Sequence, residues 1–174
     1  MAISLSRITL RPFKLSDVDD FMLWATDDRV IKFIRLSKFT SREEALTYLK
    51  EVAIPHPWHR TVCLDDRSIG FVSIFPGSGD YICRGDIGYA LAAEYWGQGI
   101  GTVAVKLALA SVLCSFPHME RLQALVDVDN QAWQRVLEKA GFLKEGILRK
   151  NIVFKGKTID NVCYSFLSTD IVPM

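Results

Sequence analysis

The sequence predicts an α/β fold (an α+β mixed sheet) in which a central, largely antiparallel sheet carries helices on both faces. Three observations lead there. Short segments with two-residue alternation or compact apolar runs recur between turns rich in Gly, Pro and Asp. Helical patterns interrupt them twice early, once in the middle and once late, in the order strand, two helices, three strands, helix, strand, helix, two strands. No linker, repeat or composition break divides the 174 residues, a length that suits one domain spanning 1–174.

The elements follow in turn. Arg7, Thr9 and Arg11 alternate with Ile8 and Leu10 in a half-buried strand that Pro12 ends. Ser16 is placed to cap the first helix, with Asp17, Asp19 and Asp20 where the positive helix end favours them. Thr26-Asp27-Asp28 breaks or re-caps it, and residues 31–40 read as an irregular loop. Ser41-Arg42-Glu43-Glu44 is a capping box opening a helix to about Ile54, closed by Pro55 and Pro57. Residues 59–64 and 69–75 form a hairpin around Asp65-Asp66-Arg67-Ser68. Arg84–Ala92 is the next strand, and after Gly97-Gln98-Gly99-Ile100-Gly101-Thr102 a helix rich in Ala, Leu and Val runs to about Ser115, where Pro117 stops it. Arg121–Val128 is a strand. Asn130 then caps a helix with Trp133, Val136, Leu137 and Ala140 on one face, and Gly141 takes the left-handed position past its end. Phe142–Phe154 and Thr158–Ser168 are the last strands, joined at Lys155-Gly156-Lys157.

Composition narrows the partners. The net charge is +1, with 12 basic and 12 acidic residues in 1–87 and 9 against 8 in 88–174. A duplex-binding domain normally carries a strong basic bias, so no nucleic-acid partner is expected. The apolar stretch Gly99–Phe116 is barely long enough to span a bilayer and contains Lys106, so it reads as a helix buried on a sheet, with no membrane partner. Cys63, Cys83, Cys114 and Cys163 are scattered, no CxxC or HExxH occurs, and no metal is expected. Reduced cysteines and a start without a signal-type apolar region suggest a cytoplasmic protein.

The glycine loop is the most informative segment. Glycines between a strand and a helix let backbone approach a ligand, and the free N–H groups of the first turn suit a pyrophosphate. A plain tight turn fits the same residues. Gly99-x-Gly101-x-x-Ala104 also matches a dinucleotide fingerprint. However, Ala93–Trp96 separates the strand from the loop, and the 73 residues after Gly101 are too few to complete a doubly wound domain.

Leu10-Arg11 with Asp17, Ser41-x-x-Glu44-Ala45, Ile69-Gly70, Asp86-Ile87-Gly88-Tyr89, Tyr95 through Thr102, Asn130 through Phe142, Glu145-Gly146 and Asp160 with Tyr164-Ser165 form one ordered series. By these motifs the chain resembles the GNAT N-acetyltransferase superfamily, and within it the RimJ/RimL-like branch, over residues 5–168. The resemblance implies a sheet with a splayed strand pair and acetyl-CoA as cosubstrate. Its pyrophosphate would meet the main chain of Gln98, Gly99, Ile100, Gly101 and Thr102. Its pantetheine arm would lie between the strands Ile87–Ala92 and Leu122–Val128, touching Ile87, Tyr89, Ala90 and Leu91. Asn130 matches a cofactor-contacting position and is equally a helix cap. Trp133 lies by position among the cofactor contacts and by periodicity in the core.

The same resemblance implies transfer of an acetyl group to a primary amine, on a protein N-terminus or a small molecule, in a ternary complex. A lysine-type amine titrates near ~10.4 and needs a base. Asp86, where related proteins often place a Glu, is one candidate, and an ion pair with Arg84 is the plain alternative; Glu94 is a second carboxylate. Backbone N–H groups around Tyr89–Leu91 would meet the oxyanion. The sequence departs from the family pattern at two hydroxyls: Leu137 stands where many members carry a Tyr, as it does in the RimJ/RimL branch, and Trp133 stands where that branch often has a Ser, leaving water or a hydroxyl such as Tyr89 or Tyr164 as proton donor to the thiolate. The loop at Arg29–Thr40 and the hairpin Lys150–Thr158 would wall the acceptor site, with Arg35, Lys38, Lys150, Lys155 and Lys157 favouring an acidic or phosphate-bearing acceptor. A catalytically weak acyl-CoA-binding or sensing module is the competing function, and monomer or homodimer are both compatible.

Overall fold

The computed structural model describes residues 2–174. Its centre is one seven-stranded sheet in the order β1-β2-β3-β4-β5-β7-β6. The strands are β1 (Ile8–Pro12), β2 (His59–Leu64), β3 (Arg67–Pro76), β4 (Arg84–Leu91), β5 (Arg121–Asp127), β6 (Leu143–Phe154) and β7 (Lys157–Leu167). Every neighbouring pair is antiparallel except β4 and β5, which the helical crossover between them makes parallel.

Helices cover both faces. On one side lie α1 (Val18–Ala25), α2 (Asp28–Ile31) and α3 (Arg42–Tyr48, prolonged by a wide turn through Ala53). Phe21, Trp24, Ala45 and Leu49 form a buried cluster there with Ala90 of β4. On the other side α4 (Ile100–Ser115) and α5 (Gln131–Lys139) bury Ile100, Ala104, Ala108, Leu109, Trp133 and Leu137 against Ile74, Ile87, Leu122 and Tyr164. Strand alternation sends Ile87, Tyr89 and Leu91 toward α4 and α5, and Asp86, Gly88 and Ala90 toward the opposite face.

Ser41 caps α3 as expected, its Oγ accepting from Glu44 N at 3.1 Å, but the Glu44 carboxylate reaches past the cap to Thr40 N at 2.8 Å, which also lets it take the Thr40 hydroxyl. Ser16 does not cap α1. Leu15–Asp17 is a 3-10 turn in which the buried Asp17 accepts from Lys14 N at 2.8 Å and pairs with Arg11 at 2.7 Å. A carboxylate shared between a guanidinium and a backbone N–H outcompetes a neutral hydroxyl for that position. The β2–β3 turn is also tighter than expected. Asp65 and Asp66 take φ of +49° and +67°, a two-residue turn, so β3 begins at Arg67.

Candidate active site

The parallel pair is short. β4 and β5 are matched only at Arg84↔Arg121, Gly85↔Leu122 and Asp86↔Gln123. Beyond that vertex Ile87–Leu91 pairs with β3 alone and Ala124–Asp127 with β7 alone, so the sheet splits. Ala92 N donates to Ile69 O on the β3 side, which turns the N–H groups of Tyr89 and Leu91 the other way, into the gap. The Leu91 carbonyl confirms that direction: it accepts from Trp96 Nε1 at 2.7 Å rather than from a strand.

A cavity of about 350 Å³ continues the gap. Its walls are the end of β4 (Tyr89, Ala90, Leu91), the glycine loop with the first turn of α4, and the face of α5 that carries Asn130, Trp133 and Val136. Gly97 and Gly99 take φ of +73° and +79°, and the first helical bond of α4 runs from Val103 N to Gly99 O. The N–H groups of Ile100, Gly101 and Thr102 therefore have no helical acceptor, and they sit at the positive end of a helix 16 residues long. This is a fitting seat for a pyrophosphate.

Gly101 has a second reason to be glycine. A Cβ there would stand 2.2 Å from the Tyr89 hydroxyl oxygen and 3.2 Å from Val136. The Tyr89 ring occupies that space and stacks on Trp133, with centroids 4.6 Å apart and planes 14° from parallel. Burial alone pushes the Tyr89 hydroxyl pKa well up, so it stays protonated. The other candidate hydroxyl, on Tyr164, donates to Glu138 Oε1 at 2.8 Å; burial, with that contact, raises its pKa to about 12. Asn130 is a cap, its Oδ1 accepting from Trp133 N at 3.2 Å, and it lines the cavity as well.

Asp86 lies at the vertex on the opposite face, where its Oδ1 accepts from Gln123 Nε2 at 3.2 Å. It is not tied to Arg84, whose guanidinium lies over the Tyr81 ring at 4.3 Å. Glu94 is exposed on the turn after β4 and is not among the cavity residues. Gln98 is exposed too, its side chain donating to Glu94 O at 3.1 Å, and Ile87 is buried in the core below the gap.

Arg29, Val30, Phe33 and Ile34, within the Arg29–Thr40 segment expected to wall the acceptor site, come from α2 and the loop after it and line the cavity. Other lining residues were not singled out in the sequence. Arg135 and Lys139 lie one turn apart on α5 at the cavity edge, and their i, i+4 spacing was the one available hint. Two of the five cations assigned to the acceptor walls are engaged elsewhere. Lys38 pairs with Asp28 at 3.1 Å, and Lys155 Nζ donates to Ile31 O at 2.5 Å, fastening the β6–β7 turn to α2. Among the described residues no group of three or more His, Cys, Asp or Glu could hold a metal ion, and no helix is long and apolar enough to cross a membrane.

A mixed sheet opened beside a glycine-rich helix start defines the acyl-CoA-dependent acetyltransferases. Residues 7–143 match the acetyltransferase (GNAT) domain family, to which this chain belongs. The chain is 30% identical to the probable N-acetyltransferase YjcK of Bacillus subtilis (strain 168), over 94% of this chain and 95% of that protein. Its fold is similar to that of a GNAT-family acetyltransferase from Bacillus anthracis (TM-score 0.83, 22% identity, 98% of this chain and 100% of the other). It is similar also to Mycobacterium smegmatis RimJ, solved in complex with CoA-disulfide (TM-score 0.76, 20% identity, 92% and 82%). The GNAT resemblance of the motifs thus holds for the family, the likeness to RimJ is one of fold, and the protein is an acetyl-CoA-dependent acetyltransferase.

Proposed function

We propose that the chain works as a single N-acetyltransferase domain, moving the acetyl group of acetyl-CoA directly to a primary amine while both substrates are bound. The acceptor is a protein N-terminal α-amine or the amine of a small molecule. The observation that carries this reading is the vertex at Asp86↔Gln123: a carboxylate stands on one side of a gap whose other side continues into a cavity lined by free helical N–H groups.

Acetyl-CoA supplies a thioester-activated acetyl group. Ile100, Gly101 and Thr102 amides, with the Gly97–Gly99 loop, hold its pyrophosphate, while Arg29, Arg135 and Lys139 add positive charge at the rim. The Tyr89 and Leu91 N–H groups, already aimed into the gap, face the carbonyl oxygen as it gains charge. Asp86 takes the amine proton directly or through one water. Tyr89 lines the cavity and is the hydroxyl placed to donate to the departing thiolate, directly or through water, in place of those missing at Trp133 and Leu137. Tyr164 is engaged with Glu138, and Glu94 is a secondary carboxylate outside the cavity. The balanced charge fits an enzyme without a nucleic-acid partner, which we read as cytoplasmic, without a membrane partner, and as a monomer or homodimer.

Thermal unfolding with acetyl-CoA, CoA and NADH in parallel, followed by thiol release across a panel of amines and N-terminal peptides, tests the proposal. Stabilisation by the first two ligands at ~100-fold excess over Kd should be about 2.7 kcal/mol. Asp86→Asn should keep that stabilisation and lose turnover. Acetyl-CoA binding with no turnover on any amine would favour the sensing module, and a response to NADH alone would overturn the transferase reading.

A further inference from the structure

The Asp86 carboxylate is one end of a chain of side chains that spans four strands. Arg121 is held bidentately by Glu145, Nη1 to Oε1 at 2.8 Å and Nη2 to Oε2 at 2.7 Å. Glu145 is in turn an acceptor for Ser165 Oγ at 2.7 Å. From this fixed position Arg121 Nη2 donates to Gln123 Oε1 at 2.9 Å. A guanidinium has only donors, so Gln123 must turn its carbonyl oxygen toward it. The amide NH₂ is then compelled to point the other way, where it meets Asp86 Oδ1.

The structure assigns Gln123 as the positioning residue for Asp86, with Arg121 and Glu145 setting its orientation. This deepens, and rests on, the reading of Asp86 as the base. One carboxylate oxygen is tethered at the last paired position of the split sheet, while Oδ2 is left to take a proton. By strand register the charged and titratable groups set around Asp86 on this face are Arg84 on β4, Arg121 on β5, Cys163 on β7, Glu145 on β6, and His56 and His59 beyond Phe75 and Ser73 of β3, with Asp127 further along β5 and the Arg67–Asp20 and Arg11–Asp17 pairs further off beside α1. Among the hydrogen bonds within the described residues, the one Asp86 side-chain contact is that from Gln123.

The test is the split between kcat and KM, read in double-variant cycles with Asp86→Asn. Gln123→Leu releases Asp86 Oδ1, so turnover should fall roughly 5-fold with KM for acetyl-CoA unchanged, as befits the loss of one hydrogen bond. Gln123→Glu keeps the shape and the acceptor for Arg121 but offers Asp86 no donor, and should lower turnover at least as much. Arg121→Met frees the amide to flip and should act in the same direction, while the Arg121→Met, Gln123→Leu double variant is no worse than Gln123→Leu. In an Asp86→Asn background Gln123→Leu should cost nothing further. Wild-type turnover in folded Gln123→Leu and Gln123→Glu overturns the assignment, as do additive effects in either double variant. Full turnover in Asp86→Asn would instead sink the base reading, whereas a Gln123→Leu loss that persists in full in Asp86→Asn would sink the positioning alone.

Discussion

Gly101 and Tyr89 share one volume: the Tyr89 hydroxyl lies 2.2 Å from where a side chain on Gly101 would begin, and its Cζ lies 2.9 Å away. Gly101→Ala therefore drives the Tyr89 ring off Trp133 and into the cavity. Overpacking of this kind costs about 1–3 kcal/mol. Acetyl-CoA affinity, read by calorimetric titration, should drop at least ~10-fold because the displaced ring fills the cleft. Adding Tyr89→Phe removes the closest atom and leaves Cζ, so it should restore part of both losses. Unchanged affinity in Gly101→Ala would show that the cofactor does not use this turn.

Trp133 tests whether a helix-stripe residue is also part of the site. It is 9% exposed and stacked on Tyr89, with its neighbour on the stripe, Leu137, fully buried. Trp133→Ala should destabilise by about 3–5 kcal/mol, which lowers Tm by roughly 6–20 °C in a domain of this size. Trp133→Phe preserves the stack and should recover most of it by the same thermal measurement.

Acid sensitivity has two separable sources. The Glu145 carboxyl is held down at about 2, against an ordinary 4.5, chiefly by its hydrogen bonds from Arg121 and then Ser165. Its stabilising contribution is complete above 4.5 and is lost as pH falls toward 2. The His59 imidazole, enclosed by Phe13 and Phe71, is held at about 3 against 6.5, mainly by burial and then by His56 and Arg60. The folded state refuses a proton that the unfolded chain accepts, so stability falls as pH drops from 6.5 toward 3. Urea unfolding across pH should show Glu145→Gln flattening only the lower window and His59→Phe only the upper one.

Lys155 ties the β6–β7 turn to the last carbonyl of α2, the helix whose Arg29 and Val30 line the cavity. Lys155→Met should leave global stability within about 1 kcal/mol, since one exchanged hydrogen bond is worth no more. Amide exchange in residues 29–36 should nevertheless quicken, because a four-residue helix has little stability of its own. Unchanged exchange there would mean that the apolar contacts of Val30 and Ile31 suffice.

Much of this architecture was legible in the sequence because it is written in local chemistry. Alternation in Arg7–Arg11, the caps at Ser41 and Asn130 and the stop at Gly141 each act within one turn or one strand. The glycine loop was readable for the same reason, as left-handed φ at Gly97 and Gly99 is a demand on single residues. The miss at Ser16 came from Arg11, a partner on another element that claims Asp17 and reshapes the turn.

The sequence by itself thus determined the order of elements, the split-sheet family and the loop that can hold a pyrophosphate. Tertiary structure alone decided that Asp86 answers to Gln123 instead of Arg84, that Tyr89 fills the space above Gly101, and that α2 closes over the cavity. Those pairings join residues 37 and 124 positions apart, as for Asp86 with Gln123 and Ile31 with Lys155. Spacing along the chain carries no record of such contacts, because strand register and helix docking set them only once the hydrophobic core has formed.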